Sequence, residues 1–258
     1  MKNTLQFILL VVGILVFWSC NSKKMEKKEP TKEIMDEINP ENYWVKNIGS
    51  RLKIINDGDF SATISVDSLV NIPNLYAIGP IEGLKGEITI YNSEVSIATI
   101  ENDTSAFSSN TSNINAIFTV YGSCSNWKKI TIEKSLSGID EIEAYIKEEI
   151  PTNGLNMEKP FPFRIEGNVN SLDYHIIYKK DNVPHNKIEH QKAKQKFKLE
   201  NEPIKIVGFW ADAKGENVYT HPGHRTHFHF LQEKTNQSGH IDDIELESGA
   251  ILYLPLVE

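Results

Sequence analysis

The chain has 258 residues, an ordinary hydrophobic fraction of 40% and a formal net charge of −8. That acidic balance argues against a nucleic-acid partner, which calls for a basic patch. Two cysteines, Cys20 and Cys124, are too few for a disulfide framework.

Met1–Ser19 reads as a leader. Lys2 supplies a minimal charged start and Phe7–Trp18 an apolar run. The run is short for a transmembrane helix and has the length of a signal-peptide core. It ends in Phe17-Trp18-Ser19-Cys20. A small residue followed by Cys resembles the lipobox of bacterial lipoproteins, although Phe17 and Trp18 depart from its usual Leu and small residue. Cleavage is expected before Cys20, with a lipid on that thiol. The mature chain is then exported and anchored to a bacterial cell membrane, on its periplasmic or surface side. Asn21–Asn42 is rich in Lys, Glu, Asn and Pro and reads as a tether that buries no core. Tyr43–Glu258 remains as the folded part.

Arg51–Ile55 reads as a short strand, Asp57-Gly58-Asp59 as a turn, and Phe60–Ile64 as another strand. Ser65 is placed to cap a short helix through Leu69 or Val70. Gly79-Pro80, Gly83 and Gly86 mark a chain path that side chains would obstruct. Glu87 follows and opens a strand over Ile88–Tyr91. Val95–Ile100 and Ala116–Tyr121 are strand candidates on either side of Asn102–Asn113, which reads as a polar surface loop. The clearest helix is Ser137–Ile150. Ile139, Ile142, Tyr145, Ile146 and Ile150 recur at helical spacing, Ser137 with Asp140 suits a cap, and Pro151 suits a stop. Phe163–Glu166, Tyr174–Tyr178, Lys196–Leu199, Ile204–Trp210 and Ile251–Leu256 read as strands. One main helix against many strands predicts a β-dominated α+β fold.

The chemistry concentrates in His224–Asp243. His227-Phe228-His229-Phe230-Leu231 reads as a strand, so His227 and His229 share one face and the two Phe the other. The polar run Glu233–Ser238 reads as a turn. The returning strand then brings His240 back beside His229 and Leu231. Three neutral imidazoles with one open position suit a catalytic zinc. His221 and His224 read as surface residues.

These residues resemble the α-acetolactate decarboxylase family over roughly Arg51 to Pro255. The specific part is H-F-H-F-L followed by G-H-I-D, with His240 eleven residues after His229. The family carries H-x-H and G-G-H-x-x-D at this spacing; here Ser238 replaces the first glycine. Gly58-Asp59-Phe60, Leu84-Lys85-Gly86-Glu87-Ile88, Phe163-Arg164-Ile165-Glu166-Gly167, Val207-Gly208-Phe209-Trp210 and Leu252-Tyr253-Leu254-Pro255 match in order. The resemblance implies two fused subdomains built on mixed or antiparallel sheets, a homodimer, zinc on His227, His229 and His240, and a catalytic role for Glu87. It also implies decarboxylation of acetolactate, or a close 2-hydroxy-3-oxo acid, to acetoin. Two departures stand out. The position of the family's catalytic Arg is taken by His175, which is expected to hold the substrate carboxylate in its place. The family's tail, with a further active-site Glu, is expected to be missing after Pro255.

The rival reading is a non-catalytic zinc- or ligand-binding lipoprotein that keeps the fold without the chemistry. A cupin-type barrel is a weaker one. Glu233 stands four residues after His229 as that pattern wants, but no later His follows His240. For the address, labelled fatty acid is expected on the chain in a bacterial host. Cys20→Ser is expected to abolish the label, and equal labelling of both would exclude a lipid at Cys20.

Overall fold

The computed structural model describes residues 42–111 and 113–257. The expected leader, Cys20 and the tether as far as residue 41 lie outside the described residues. The first half of the fold holds β1 (Tyr43–Ile48), β2 (Ile64–Ser65), β3 (Leu75–Pro80), β4 (Gly86–Tyr91), β5 (Glu94–Glu101), β6 (Thr104–Ser108), β7 (Asn115–Ala116) and β8 (Thr119–Cys124). The second half holds β9 (Trp127–Thr131), β10 (Leu136–Ser137), helix α1 (Gly138–Thr152), β11 (Phe161–Ile177), helix α2 (Lys187–Ala193), β12 (Lys194–Trp210), β13 (Thr226–Gln232), β14 (Gln237–Leu246) and β15 (Ile251–Pro255). The fold is α+β and dominated by strands, as the sequence predicts.

One sheet runs β1-β8-β3-β4-β5-β6 and the other β10-β14-β13-β12-β11-β15-β9. Of the mixed or antiparallel sheets expected, the structure has the antiparallel kind: every ladder between these strands is antiparallel. In the second sheet β14 pairs with β11 as well as with β13, so β11, β12, β13 and β14 close on themselves. Phe161, Phe163, Tyr174, Phe228 and Phe230 fill that closure together with Ile142, Ile146 and Ile150 of α1. Complete burial stabilises by roughly 1.5–3 kcal/mol for each such side chain.

Every residue of β3 and β4 is buried, because both faces of this sheet are covered. Leu75, Ala77, Ile88 and Ile90 pack with Val66 and Leu69 on the outer face. Tyr76, Ile78 and Tyr91 meet Val207, Phe209 and Leu231 of the second sheet on the inner one. The two sheets therefore share a seam. Strand alternation delivers side chains to it from β4, β12 and β13.

Several elements differ from expectation. Arg51 and Leu52 are helical and Lys53–Asp57 continue as a π turn, not a strand. Gly58 ends the turn at φ 61, so the Asp-Gly signal is a helix stop. Residues 102–113 are not all loop. Asn102 and Asp103, at φ 51 and 60, form the turn into β6, the backbone that a tight hairpin requires. The two strands expected within residues 161–177 are one 17-residue strand, and so are the two within 194–210. Ser137 does not cap α1 with its side chain; its backbone N–H donates to the Glu141 carboxylate at 2.8 Å. Pro151 lies inside the last turn, and the helix ends at Thr152.

The obstructed chain path before Glu87 is present. A Cβ on Gly79 would stand 2.3 Å from the Phe118 carbonyl oxygen. Gly86 has φ +152, and a Cβ there would stand 2.1 Å from the Ala98 oxygen. Gly86→Ala is expected to lower stability by at least about 2 kcal/mol, through backbone strain together with steric overlap. An unchanged midpoint in denaturant titration would contradict this.

Candidate active site

Four strands and one loop converge at one end of the seam. On β4, Glu87 and Thr89 point the same way, two residues apart. On β13, Phe228 and Phe230 enter the core of the closed strands, which turns His227 and His229 to the seam. Register sets the rest. His229 lies opposite His240, and His240 lies opposite His175 on β11. A bulge falls where Asp173 pairs with Asp243 but Tyr174 with Ile241. The extra residue is Asp242, and a bulge re-aims its side chain. Asp242 Oδ1 thereby meets His175 Nδ1 at 2.8 Å.

The rings of His227, His229 and His240, expected to converge, lie on one face, but His229 stands outside the group whose nitrogens approach within 4.8 Å of one another. Ring centroids of His227, His229 and His240 stand 5.1–5.5 Å apart. His229 Nδ1 is fixed by the Thr89 hydroxyl at 3.0 Å. Its Nε2 faces Glu87 Oε2 at 3.9 Å. Glu87 is 4% exposed, accepts from the Ile177 N–H at 3.3 Å and stands 4.0 Å from His175 Nε2. His175, on the far side of His240, has its ring centroid 4.5 Å from that ring.

His221 is placed where the sequence reading does not put it. Its Nε2 is 3.0 Å from His240 Nε2, and its ring is 4.5 Å from that of His227. One nitrogen each from His221, His227 and His240 falls within 4.8 Å of the other two. The sequence signal for this was Pro222-Gly223, a turn directly after His221 that folds the segment back. His224 stays at the rim, 4.0 Å from Glu143.

Burial governs the charge states. It pushes the Glu87 carboxyl up to about 8, against the pull of the Ile177 N–H and of Lys194. It drives His227 down to about 3 and His221, His229 and His240 well below the usual imidazole range. His175 is lowered by burial too, against its bond to Asp242. Asp242 itself feels burial upward, but the His175 bond and nearby lysines outweigh it and keep it ionised. The cavity, about 290 Å3, is lined by these groups and also by Arg51 and Lys194.

The donors fit a divalent metal. The imidazoles are neutral, as ligation requires. His240 Nδ1 is buried without a hydrogen-bond partner among the described residues and lies 3.9 Å from Asp242 Oδ1. A carboxylate behind a ligating imidazole is the usual supporting contact at metal sites.

A closed antiparallel sheet seamed to a second sheet over a buried polyhistidine cavity defines the class. The chain belongs to the alpha-acetolactate decarboxylase family, whose model matches residues 49–256. Among solved structures it is similar to the alpha-acetolactate decarboxylase of Bacillus subtilis strain 168, at TM-score 0.65 and 17% identity. It is likewise similar to the acetolactate decarboxylase of Bacillus subtilis subspecies spizizenii, at 0.64 and 18%. A Staphylococcus aureus protein, described as of unknown function and similar to alpha-acetolactate decarboxylase, aligns at 0.68 and 17%. Each comparison covers 83% of this chain and 86% of the other. No curated protein matches the chain.

The buried neutral imidazoles make stability depend on pH. Unfolded, a His binds its proton near about 6.5; folded, His227 does so only at about 3. The unfolded chain thus holds more protons in that window. Stability falls as pH falls through that window, and His221, His229 and His240, lowered the same way, act in the same direction. Glu87 acts oppositely. Its folded value is raised to about 8, so its contribution is lost as pH rises from about 4.3. Below about pH 6.5 several imidazoles outweigh one carboxyl. Chelator-treated protein is expected to show a denaturation midpoint that drops steeply on acidification from pH 6.5. A flat profile would contradict neutral burial.

Proposed function

We propose that this protein is a metal-dependent decarboxylase of 2-acetolactate, or of a close 2-hydroxy-3-oxo acid, and that zinc is the metal. The observation that carries the reading is Glu87, a buried carboxyl raised to about 8 beside converging neutral imidazoles in a cavity. Membership of the family supports the reaction class. His227, His229 and His240 would hold the ion. When bound, zinc supplies the Lewis acid that favours negative charge on the ketone and hydroxyl oxygens.

In the reaction the bond from the carboxylate carbon to C2 breaks. Its electron pair moves onto the neighbouring ketone as an enediolate, carbon dioxide leaves, and one proton adds to C2 to give acetoin. Before any metal binds, burial raises the Glu87 carboxyl to about 8, which favours the protonated form that would give that proton. His175 donates through Nδ1 to Asp242, so its Nε2 is left as an acceptor towards Glu87. His175 thus suits a proton partner of Glu87 better than the charged anchor expected from its position, because burial keeps it neutral.

The substrate carboxylate needs cations, and Arg51 and Lys194 supply them. Both line the cavity. The Arg51 guanidinium is oriented by Asn217 Oδ1 at 2.9 Å and keeps further donors for a carboxylate. Lys194 lies 4.0 Å from Asp242. The charges of both act on His221 and His227, which puts them at the same centre.

Chelation is expected to abolish acetoin formation and zinc to restore it. Glu87→Gln is expected to keep the metal and lower kcat by about 10²–10⁴-fold, the share a positioned acid contributes. Arg51→Gln and Lys194→Gln are expected to raise KM. A wild-type chain with full metal and no turnover of any such acid would overturn the decarboxylase reading in favour of a ligand-binding protein. From the leader and Cys20 we also propose an exported, lipid-anchored location. From the family resemblance we propose a homodimer.

A further inference from the structure

His221 lies outside the three imidazoles assigned above, yet its Nε2 makes the shortest contact within the cluster, 3.0 Å to His240 Nε2. Two nitrogens that ligate one ion at about 2.0–2.1 Å stand no more than about 4.2 Å apart. The pair satisfies that limit. The ring of His221 is also nearer to His227, at 4.5 Å, than either His229 or His240 is, at 5.5 and 5.1 Å.

The hydrogen-bond inventory of the pair does not close without a further group. A neutral imidazole carries one N–H. If His240 donates from Nε2 to His221, its buried Nδ1 is an acceptor with nothing to accept. If His221 donates instead, His240 Nδ1–H is a donor with nothing to receive it. In both cases His240 Nδ1 is orphaned. An ion on both Nε2 atoms accounts for the 3.0 Å contact without a proton between them and leaves only His240 Nδ1–H to be satisfied, with the Asp242 carboxylate as its nearest acceptor. Both nitrogens then act as acceptors, and the His240 proton sits on Nδ1, the atom 3.9 Å from the Asp242 carboxylate.

The loop that carries His221 is built to hold it there. The Thr220 hydroxyl donates to the His224 carbonyl at 2.9 Å. The Thr220 and Asn217 backbones are bonded at 2.8 Å. Arg225 is paired with Glu216 at 2.6 Å. Glu143 of α1 accepts from the backbone N–H groups of Arg225 and Thr226. A side chain carried on so restrained a loop costs little further entropy to fix.

We propose that His221 is a fourth imidazole ligand, so that one divalent first-row ion is bound by His221, His227, His229 and His240. This rests on the metal centre proposed above and adds a ligand that its three-histidine form lacks. Four protein nitrogens fill a tetrahedral zinc. Substrate oxygens must then enter by expanding the coordination or by displacing one imidazole.

The test uses the full chain loaded with zinc or cobalt, read by X-ray absorption and by competition with a chromophoric chelator. Wild type is expected to show four imidazole nitrogens. His221→Ala is expected to show three, with an affinity lower by more than about tenfold, since loss of even an outer partner costs about 10–100-fold. His224→Ala, at the rim, should leave both readings unchanged, and far-ultraviolet circular dichroism reports that each variant is folded. Three imidazoles in wild type, with affinity unmoved in His221→Ala, would overturn the fourth ligand and leave the metal centre standing. No ion bound by folded wild type would overturn both.

Discussion

Strand β14 is hydrogen-bonded along both edges, to β13 and to β11, and the site depends on that double pairing. It places His240 between His229 and His175. Side chains alternate along a strand, so a slip of one residue would turn each of these rings to the opposite face. Close contacts defend the register. A Cβ on Gly239 would stand 2.8 Å from the Tyr174 ring and 2.9 Å from the His175 oxygen. Only glycine therefore lets β14 approach β11 so closely. Its neighbour Ser238, which replaces a glycine of the family pattern, instead bonds Ser96 of β5 at 2.8 Å. That substitution ties the second sheet to the first.

A second constraint follows from the seam. Strand β13 is buried on both faces, so its imidazoles have no water to stabilise a charge. Burying an ionised group unpaired is far more costly than neutralising it. Burial accordingly holds His227 and His229 well below the usual imidazole range and pushes Glu87 up to about 8. The charges that persist are those with partners or partial exposure: Asp242 held by His175, Arg51 held by Asn217, and Lys194 near Asp242. Two cations against one carboxylate leave the cavity positive before any metal is added. Such a cavity favours an anion.

The centre of this arrangement was legible because strand periodicity is strict. An H-x-H pair, a polar turn and a returning His define three positions with little freedom, and Glu87 follows a glycine path that only a constrained backbone explains. The parts that were not legible share one physical cause, which is that local patterns do not report tertiary partners. Asn201-Glu202-Pro203 reads as a break. It lies within β12 because Glu200 and Glu202 pair with Ser171 and Val169 on either side of Asn201, which turns left-handed at φ 54. Leu52, Ile54 and Ile55 look like a strand, yet Ile54 alone of the three is buried, as a helical turn permits. His221 shows no periodicity at all; a loop fixed by Glu143 and Glu216 carries it inward.

On the proposed reading, the role that the family resemblance implies for position 175 is moved and not simply removed. The family resemblance implies an arginine there, and a cation at that point would lie beside His240 and Asp242. A histidine in the same place is 4% exposed, and burial pulls it towards neutrality more strongly than Asp242 pulls it towards charge. Arginine would keep its charge under the same burial, because its pKa starts several units higher. With His175 neutral, any positive charge facing a substrate must come from elsewhere along the wall. Arg51 reaches it from the helical turn after β1, and Lys194 from the first residue of β12. On the proposed reading the carboxylate is then held from the cavity mouth, while His175, freed from that task, faces Glu87. On that reading the same strand position passes from anchoring charge to positioning a proton.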